Sequence, residues 1–403
     1  QFTYFKKVYR KHTNFSTSFK EVLFQQDTEE CWGKKIYVTV PKEGDLVHRM
    51  YLNFELELEV QSGNHIHSKF IYSIIEHIDL YIGDQLIDRH YSEWLHIWHE
   101  LFETSNQNYS LSDMVCLNKV NVLNTFNKKT YTFSIPLRFW FNNNVGLSLP
   151  LIALTNTAVK FEVRMIKRGG DNKRLWWNQT QPQNPTYPII KKVDLLLENF
   201  YLDKEEKRMF SKNKHEYLIT QVQSGIPQII PKGLVDPTIK YKLDFKYPVK
   251  EIFWRVQDQS KKGYGEHEFN YWNDYQYPGD QVHHAKISIN NTTITNMPAF
   301  FYRGIQRYEH HNSGSIQGLW MNPTLPHTFG SGLYMYSFAL NPTNHQPSGT
   351  LNFSKAENSY LRVTLHEGPV WNNPWPKREI RAFALNYNVF RIMSGLGGLA
   401  FTN

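Results

Sequence analysis

Cysteine is nearly absent: only Cys31 and Cys116 occur in 403 residues. A secreted chain of this length held by disulfides would carry more, so a reducing compartment fits better. Membrane-spanning character is missing too. The charge-free stretch 142–159 is broken by Asn142, Asn143, Asn144 and Pro150, which rules out a spanning helix. No leader-like segment is visible, and the sequence opens on Gln1 rather than Met. The chain is expected to be soluble, with any membrane contact peripheral. Charge is modest, at 20% Asp, Glu, Lys and Arg, too little for a disordered chain. The net formal charge of +8 permits contact with nucleic acid or anionic lipid without requiring either. Its positive residues are mostly scattered. Concentrations at Lys6, Lys7, Arg10 and Lys11, and over 204–214 where Glu205 and Glu206 intervene, read first as solvated faces.

What the chain has in excess is aromatic: 24 Tyr, 26 Phe and 11 Trp. Flat rings pack well on pleated surfaces, so the excess favours strands over helices. The segment 50–60 alternates apolar and polar residues, as a half-buried strand does. Further strand-like runs cover 35–40, 77–82, 131–137, 159–165, 193–200, 239–245, 251–256, 285–289, 333–340, 360–365 and 380–392. Helical candidates are short, chiefly 92–103 and 299–311. Many short strands with turns between them predict an all-β protein built of sandwiches or barrels.

The chain also repeats itself. Shifted by 207 residues, Leu80, Ile82 and Ile87 fall over Ile287, Ile289 and Ile294, and Trp94 falls over Phe301. Shifted by 205, Tyr131 and Phe133 fall over Tyr336 and Phe338. An offset of half the chain implies two copies of one domain. The polar, Pro-rich stretch 169–188 reads as loop and linker, so the division is expected near residue 190, giving domains 1–190 and 191–403.

Little in the sequence points to catalysis. His65 and His67 lack the nearby Glu of a cupin-type metal site. His96, His99 and Glu100 are not in zinc-protease order, and the adjacent pairs His283–His284 and His310–His311 would point to opposite faces of a strand. Structural histidine is the better reading. The run Gly395-Leu396-Gly397-Gly398 has no following helix to meet a phosphate; close backbone packing fits it better. No catalytic residue, metal or cofactor is expected. Sequons stand at Asn14, Asn108, Asn178, Asn290, Asn291 and Asn352. They matter only if the chain meets a glycosylation machinery.

Two long stretches carry a resemblance. One is QFTYFKKVYRKHTNF at 1–15, the other NYNVFRIMSGLGGLA at 386–400. Between them, Phe139-Trp140-Phe141 with GLSLPLIAL at 146–154, SIQGLW at 315–320 and GLYMYSFALNP at 332–342 keep the same order. Together they resemble the major capsid proteins of nucleocytoplasmic large DNA viruses, essentially end to end. The resemblance implies two tandem eight-stranded jelly-roll barrels with short helices in the connecting loops. It also implies a homotrimer of pseudo-hexagonal outline that tiles an icosahedral shell, together with minor capsid proteins and usually over an internal viral membrane. The protein would reside in the virion, be assembled in the host cytoplasm, and bind no specific nucleic acid. Relatives carry a further segment ahead of the motif that begins here at Gln1. Their amino-terminal part lies at the capsomer base, where Lys6, Lys7, Arg10 and Lys11 would meet anionic lipid or minor shell proteins. Tyr264, Tyr271, Trp272, Tyr275 and Tyr277 fall in the long interval 257–281, an expected surface loop. They either anchor subunit contacts or pack on their own barrel. Two other readings compete: a tandem jelly-roll lectin or attachment protein stacking sugars on its aromatic loops, and a two-domain cupin enzyme with stoichiometric metal.

Overall fold

Strands follow the alternation. In a computed structural model of the chain, described over residues 4–9, 11–25, 31–58, 65–66, 70–115, 129–167, 176–177, 188–231, 238–258, 282–311, 332–365 and 377–402, the clearest case is Leu46–Leu58. Met50, Leu52, Phe54, Leu56 and Leu58 are buried there, while Tyr51, Asn53, Glu55 and Glu57 are half-exposed. That division is the period of two expected of a strand with one face on a core.

Eight such strands build the first half: β1 (Phe15–Leu23), β2 (Lys35–Thr39), β3 (Leu46–Leu58), β4 (Ile75–Ile82), β5 (Gln85–Tyr91), β6 (Lys129–Pro136), β7 (Val159–Met165) and β8 (Ile189–Leu202). Eight more build the second: β9 (His215–Ser224), β10 (Thr238–Lys242), β11 (Pro248–Asp258), β12 (Val282–Ile289), β13 (Thr292–Pro298), β14 (Leu333–Ser337), β15 (Ser359–Leu365) and β16 (Arg378–Met393). The first half forms sheets of order β1-β8-β3-β6 and β2-β7-β4-β5. The second forms β9-β16-β11-β14 and β10-β15-β12-β13. Adding eight to each label of one half gives the other. Both are the jelly-roll order, and the chain is two tandem jelly rolls. The short strands Gln228–Ile230, Leu351–Asn352 and Leu396–Leu399 widen the larger second sheet.

The half-chain offset is the fold's own repeat. It lays β4 over β12 and β6 over β14, and it matches their turns. Gly83 between β4 and β5 has φ of 62°, and Asn290 and Asn291 between β12 and β13 have 48° and 65°. A two-residue turn matching the strand twist calls for left-handed backbone, which Gly and Asn tolerate best.

Pairing moves the division between the halves. Strand β8 runs straight through residue 190, pairing β1 from Phe15↔Leu202 to Leu23↔Asp194 and pairing β3 on its other edge. It fills the middle of the first sheet, so a cut at 190 would open that sheet. The first sandwich closes at Leu202, not at 190, and the stretch 169–188 lies between two strands of one sandwich rather than between sandwiches. The connection is a helix the composition hid. Lys204–Lys212 follows Asp203, whose carboxylate accepts from Glu206 N at 2.9 Å as an N-cap. Lys207 returns to Asp45 at 3.0 Å, tying this linker helix to the first sandwich.

The halves meet through helix α1 (Ser92–Leu101), which leaves the end of β5. Its Trp94, Ile97 and Leu101 pack on the outer face of the second sandwich's larger sheet, against Phe253, Met335 and Phe383. Within this apolar seam Arg255 is fully buried. It bonds Glu379 at 2.7 Å and also pairs with Glu93 of α1, while Arg381 bonds Glu93 at 2.9 Å. A second clasp lies at the carboxyl end. Gly395 O accepts from Asn156 N at 3.1 Å and from Thr157 Oγ1 at 3.0 Å. A Cβ on Gly397 would come within 2.7 Å of Leu154, so glycine is what lets the backbone lie there.

Replacing Arg255 by Ala takes this partner from Glu379 in the seam and leaves Glu93 with Arg381. Urea unfolding should show a loss of about 3–5 kcal/mol. On the far side of the second sandwich, Tyr302 is buried and donates to Ala285 O at 2.8 Å, and burial pushes its hydroxyl up to about 12. The unfolded chain releases that proton near pH 10. Stability should therefore hold below pH 10 and fall between pH 10 and 12. Tyr302→Phe should flatten the decline in denaturation midpoints measured across that window.

Candidate functional site

Polar side chains gather at faces of the sandwiches. On the outer face of the sheet β2-β7-β4-β5, β4 presents His77 and Asp79, and β7 presents Glu162 opposite Asp79. Their ligand atoms lie within 4.8 Å of one another, and all three are buried. The carboxylates are already taken. Arg89 bonds both oxygens of Asp79 at 2.6 Å, and Lys35 lies 2.6 Å from Glu162. Hydrogen bonding to Asp79 holds the Arg89 guanidinium well above its usual value. Burial holds the His77 imidazole below its ordinary range, outweighing the pull of Asp79. The cluster is thus an ion network balanced by the chain's own cations. Alternation could have put His77 and Asp79 on one face, but only the β4–β7 register brings Glu162 to them, and no local pattern carries that.

Three further histidines among the described residues sit in structural contacts. His96 lies 3.6 Å from Glu100, His99 meets Tyr72 Oη at 3.2 Å, and His311 bonds the buried Glu251 at 2.8 Å. The side chains of His65 and His67 lie outside the described residues, as does Cys116, whereas Cys31 is buried.

The other expected positions are surface features. Lys6, Lys7 and Lys11 are exposed, and Arg10 lies outside the described residues. Tyr4, Phe5, Val8 and Tyr9 beside them are also exposed, so cationic and apolar groups alternate along one arm. Asn14, Asn290, Asn291 and Asn352 are exposed. Asn290 Oδ1 accepts from Glu357 N at 2.9 Å and Asn352 Oδ1 from Ser354 N at 3.0 Å, so both serve as backbone caps. The side chain of Asn108 and the whole of Asn178 lie outside the described residues, as do Tyr264, Tyr271, Trp272, Tyr275 and Tyr277. Apolar side chains reach solvent on the edge strand β1, at Phe15, Phe19 and Leu23. No helix among the described residues is long and apolar enough to cross a membrane.

Paired sandwiches of one strand order, locked by a helix-on-sheet seam, define a tandem jelly-roll protein. Comparison with known proteins agrees. Residues 3–203 match the family described as major capsid protein N-terminus, and 206–398 match large eukaryotic DNA virus major capsid protein. The major capsid protein of Pyramimonas orientalis virus is 33% identical over 417 residues, covering 100% of this chain and 94% of that protein. That of Paramecium bursaria Chlorella virus 1 is 28% identical, covering 100% and 95%. Among solved structures, a chain of the quasi-atomic PBCV-1 virus capsid superposes with a TM-score of 0.78 at 24% identity, with full coverage of both chains. The Faustovirus major capsid protein superposes with 0.72 at 9% identity, covering 98% of this chain and 93% of that one. The chain belongs to the major capsid proteins of large eukaryotic DNA viruses. Its relatives are structural proteins of the capsid, not enzymes. The family boundary between 203 and 206 also agrees with the end of β8.

Arg89→Ala should leave Asp79 buried without its clamp and cost about 2–3 kcal/mol in urea unfolding. In the parent chain, millimolar zinc or magnesium should leave the unfolding temperature unchanged, because Arg89 and Lys35 already occupy the carboxylates.

Proposed function

We propose that three copies of the chain associate into a capsomer of pseudo-hexagonal outline, and that capsomers tile the faces of an icosahedral shell. The observation that carries this is the repetition of one eight-strand order in both halves of the chain. Three chains then supply six near-equal sandwiches, and a three-fold unit presents near-six-fold edges to identical neighbours. Minor capsid proteins and an internal viral membrane are the further partners, nucleic acid is not bound specifically, and assembly takes place in the host cytoplasm. The arm at residues 4–11 supports the membrane side of this reading. Its Tyr4, Phe5 and Tyr9 suit a headgroup boundary, and Lys6, Lys7 and Lys11 suit anionic lipid.

Sedimentation velocity of the purified chain at micromolar concentration should give three times the 47.7 kDa chain mass. A stable monomer, or a small oligomer that binds glycan in its place, would overturn the proposal. Flotation with phosphatidylserine vesicles tests the arm. With about 1 kcal/mol contributed by each lysine near the surface, Lys6→Glu, Lys7→Glu and Lys11→Glu together should weaken association more than tenfold.

A further inference from the structure

The internal repeat allows one half of the chain to be read against the other. Strand register lines up one row of outward side chains across each of the sheets β2-β7-β4-β5 and β10-β15-β12-β13. In the first sheet the row is Tyr37, Glu162, Asp79 and Arg89. In the second it is Lys240, Arg362, Lys286 and Asn296. The offset of 207 carries Asp79 to Lys286 and Arg89 to Asn296. One place in the fold therefore holds acids in the first sandwich and cations in the second. The acids are neutralised from within, by Arg89 and Lys35. The cations are not. Asn296 is neutral, and among the described residues no ion pair reaches Lys240, Lys286 or Arg362.

Like charges directly opposite one another on neighbouring strands repel. Here three stand side by side across two strand spacings, about 10 Å. Lys240 and Arg362 are exposed and Lys286 is half-exposed, so the row faces solvent. A cleft of about 120 Å³ opens on it, with Ser288, Asn291 and Asn358 completing the wall. Their hydroxyl and amides both donate and accept, as the hydroxyls of a sugar require. Tyr360 lines the cleft as well, but Lys240 Nζ lies 3.7 Å from its ring centroid. The ring face beside the cations is already taken and gives a nucleic-acid base no platform to stack on.

We infer that this cleft binds a sulfated saccharide, its sulfates on Lys240, Arg362 and Lys286 and its hydroxyls on Ser288, Asn291 and Asn358. Cations spread over three strands call for a ligand with more than one negative group. Arg362 stands at the centre of the row, where its planar fork of donors matches two oxygens of one sulfate. The contrast with the first sandwich supplies the logic: there the chain provides its own counter-charge, and here a ligand provides it. The site goes beyond the shell reading and does not rest on it.

Isothermal titration of the full chain with a heparin-derived hexasaccharide tests the assignment. The hexasaccharide should bind, and its fully desulfated form should not. Arg362→Gln should weaken binding about tenfold, the loss of one bond to a charged group. Arg362→Glu puts an acid where the first sandwich has Glu162. It should abolish binding and raise the unfolding temperature of the free chain, because the row then alternates in sign. Lys6→Glu, Lys7→Glu and Lys11→Glu together should leave the affinity unchanged, which separates the cleft from the basic arm. Absence of binding, binding that survives Arg362→Glu, or binding lost with the arm lysines overturns the site. Single-stranded DNA or poly-glutamate bound as tightly as the hexasaccharide overturns the choice of ligand. If Arg362→Glu fails to fold, Arg362→Gln decides. None of these outcomes turns on the sedimenting mass, so the site and the shell reading fail separately.

Discussion

Arg255 holds the molecule together at its least forgiving point. A guanidinium with no exposed surface, set among Trp94, Phe253 and Phe383, survives only because Glu93 and Glu379 reach it from two sandwiches. Charge buried in an apolar seam tolerates little displacement, since each carboxylate that moves away leaves a desolvated cation behind. The apolar residues supply most of the adhesion and the ion cluster supplies the angle. That division suits a building block, because the relative setting of the two sandwiches is what every neighbour in a shell must share.

Much of this was legible in the residues. The strict alternation at 50–60 gave the side of β3 that faces the core, and the half-chain offset anticipated β4 over β12 and β6 over β14. The helical candidates 92–103 and 299–311 contain helix over 92–101 and 299–310. The boundary was not legible, for a physical reason. Composition marks where a chain is polar, whereas a sandwich ends where its last strand finds partners, and β8 finds them in β1 and β3, far back in sequence. Likewise the run 204–214 read as a solvated face, and the capped helix Lys204–Lys212 within it left no apolar stripe to mark it. The Asp79–Glu162 pairing depends on strand register, and the role of Trp94 depends on a sheet more than a hundred and fifty residues away. Long-range pairing leaves no local trace.

Duplication preserved the strand order and let the outer faces diverge. The second sandwich's larger sheet is sealed by α1, its Arg255 and Glu379 buried with Phe253 and Phe383, while the first sandwich's counterpart keeps Asn53 and Glu55 half-exposed. Burial raises the pKa of Asp194 despite the Asn53 amide at 2.8 Å, the behaviour of a surface already partly withdrawn from water. Contacts that must wait for a second molecule keep enough polarity for the free chain to remain dissolved.

The position of β16 governs the order in which the protein is made. Arg378–Met393 is a central strand of the second sandwich's larger sheet, lying between β9 and β11, and it is the last of the sixteen sandwich strands in chain order. The first sandwich has all eight of its strands once Leu202 has left the ribosome. The second waits, with its sheet split down the middle, until β16 has emerged as well. Each nascent chain therefore carries one finished half and one open half while the residues between Leu202 and Met393 are made, and a chaperone has most to shield in that interval.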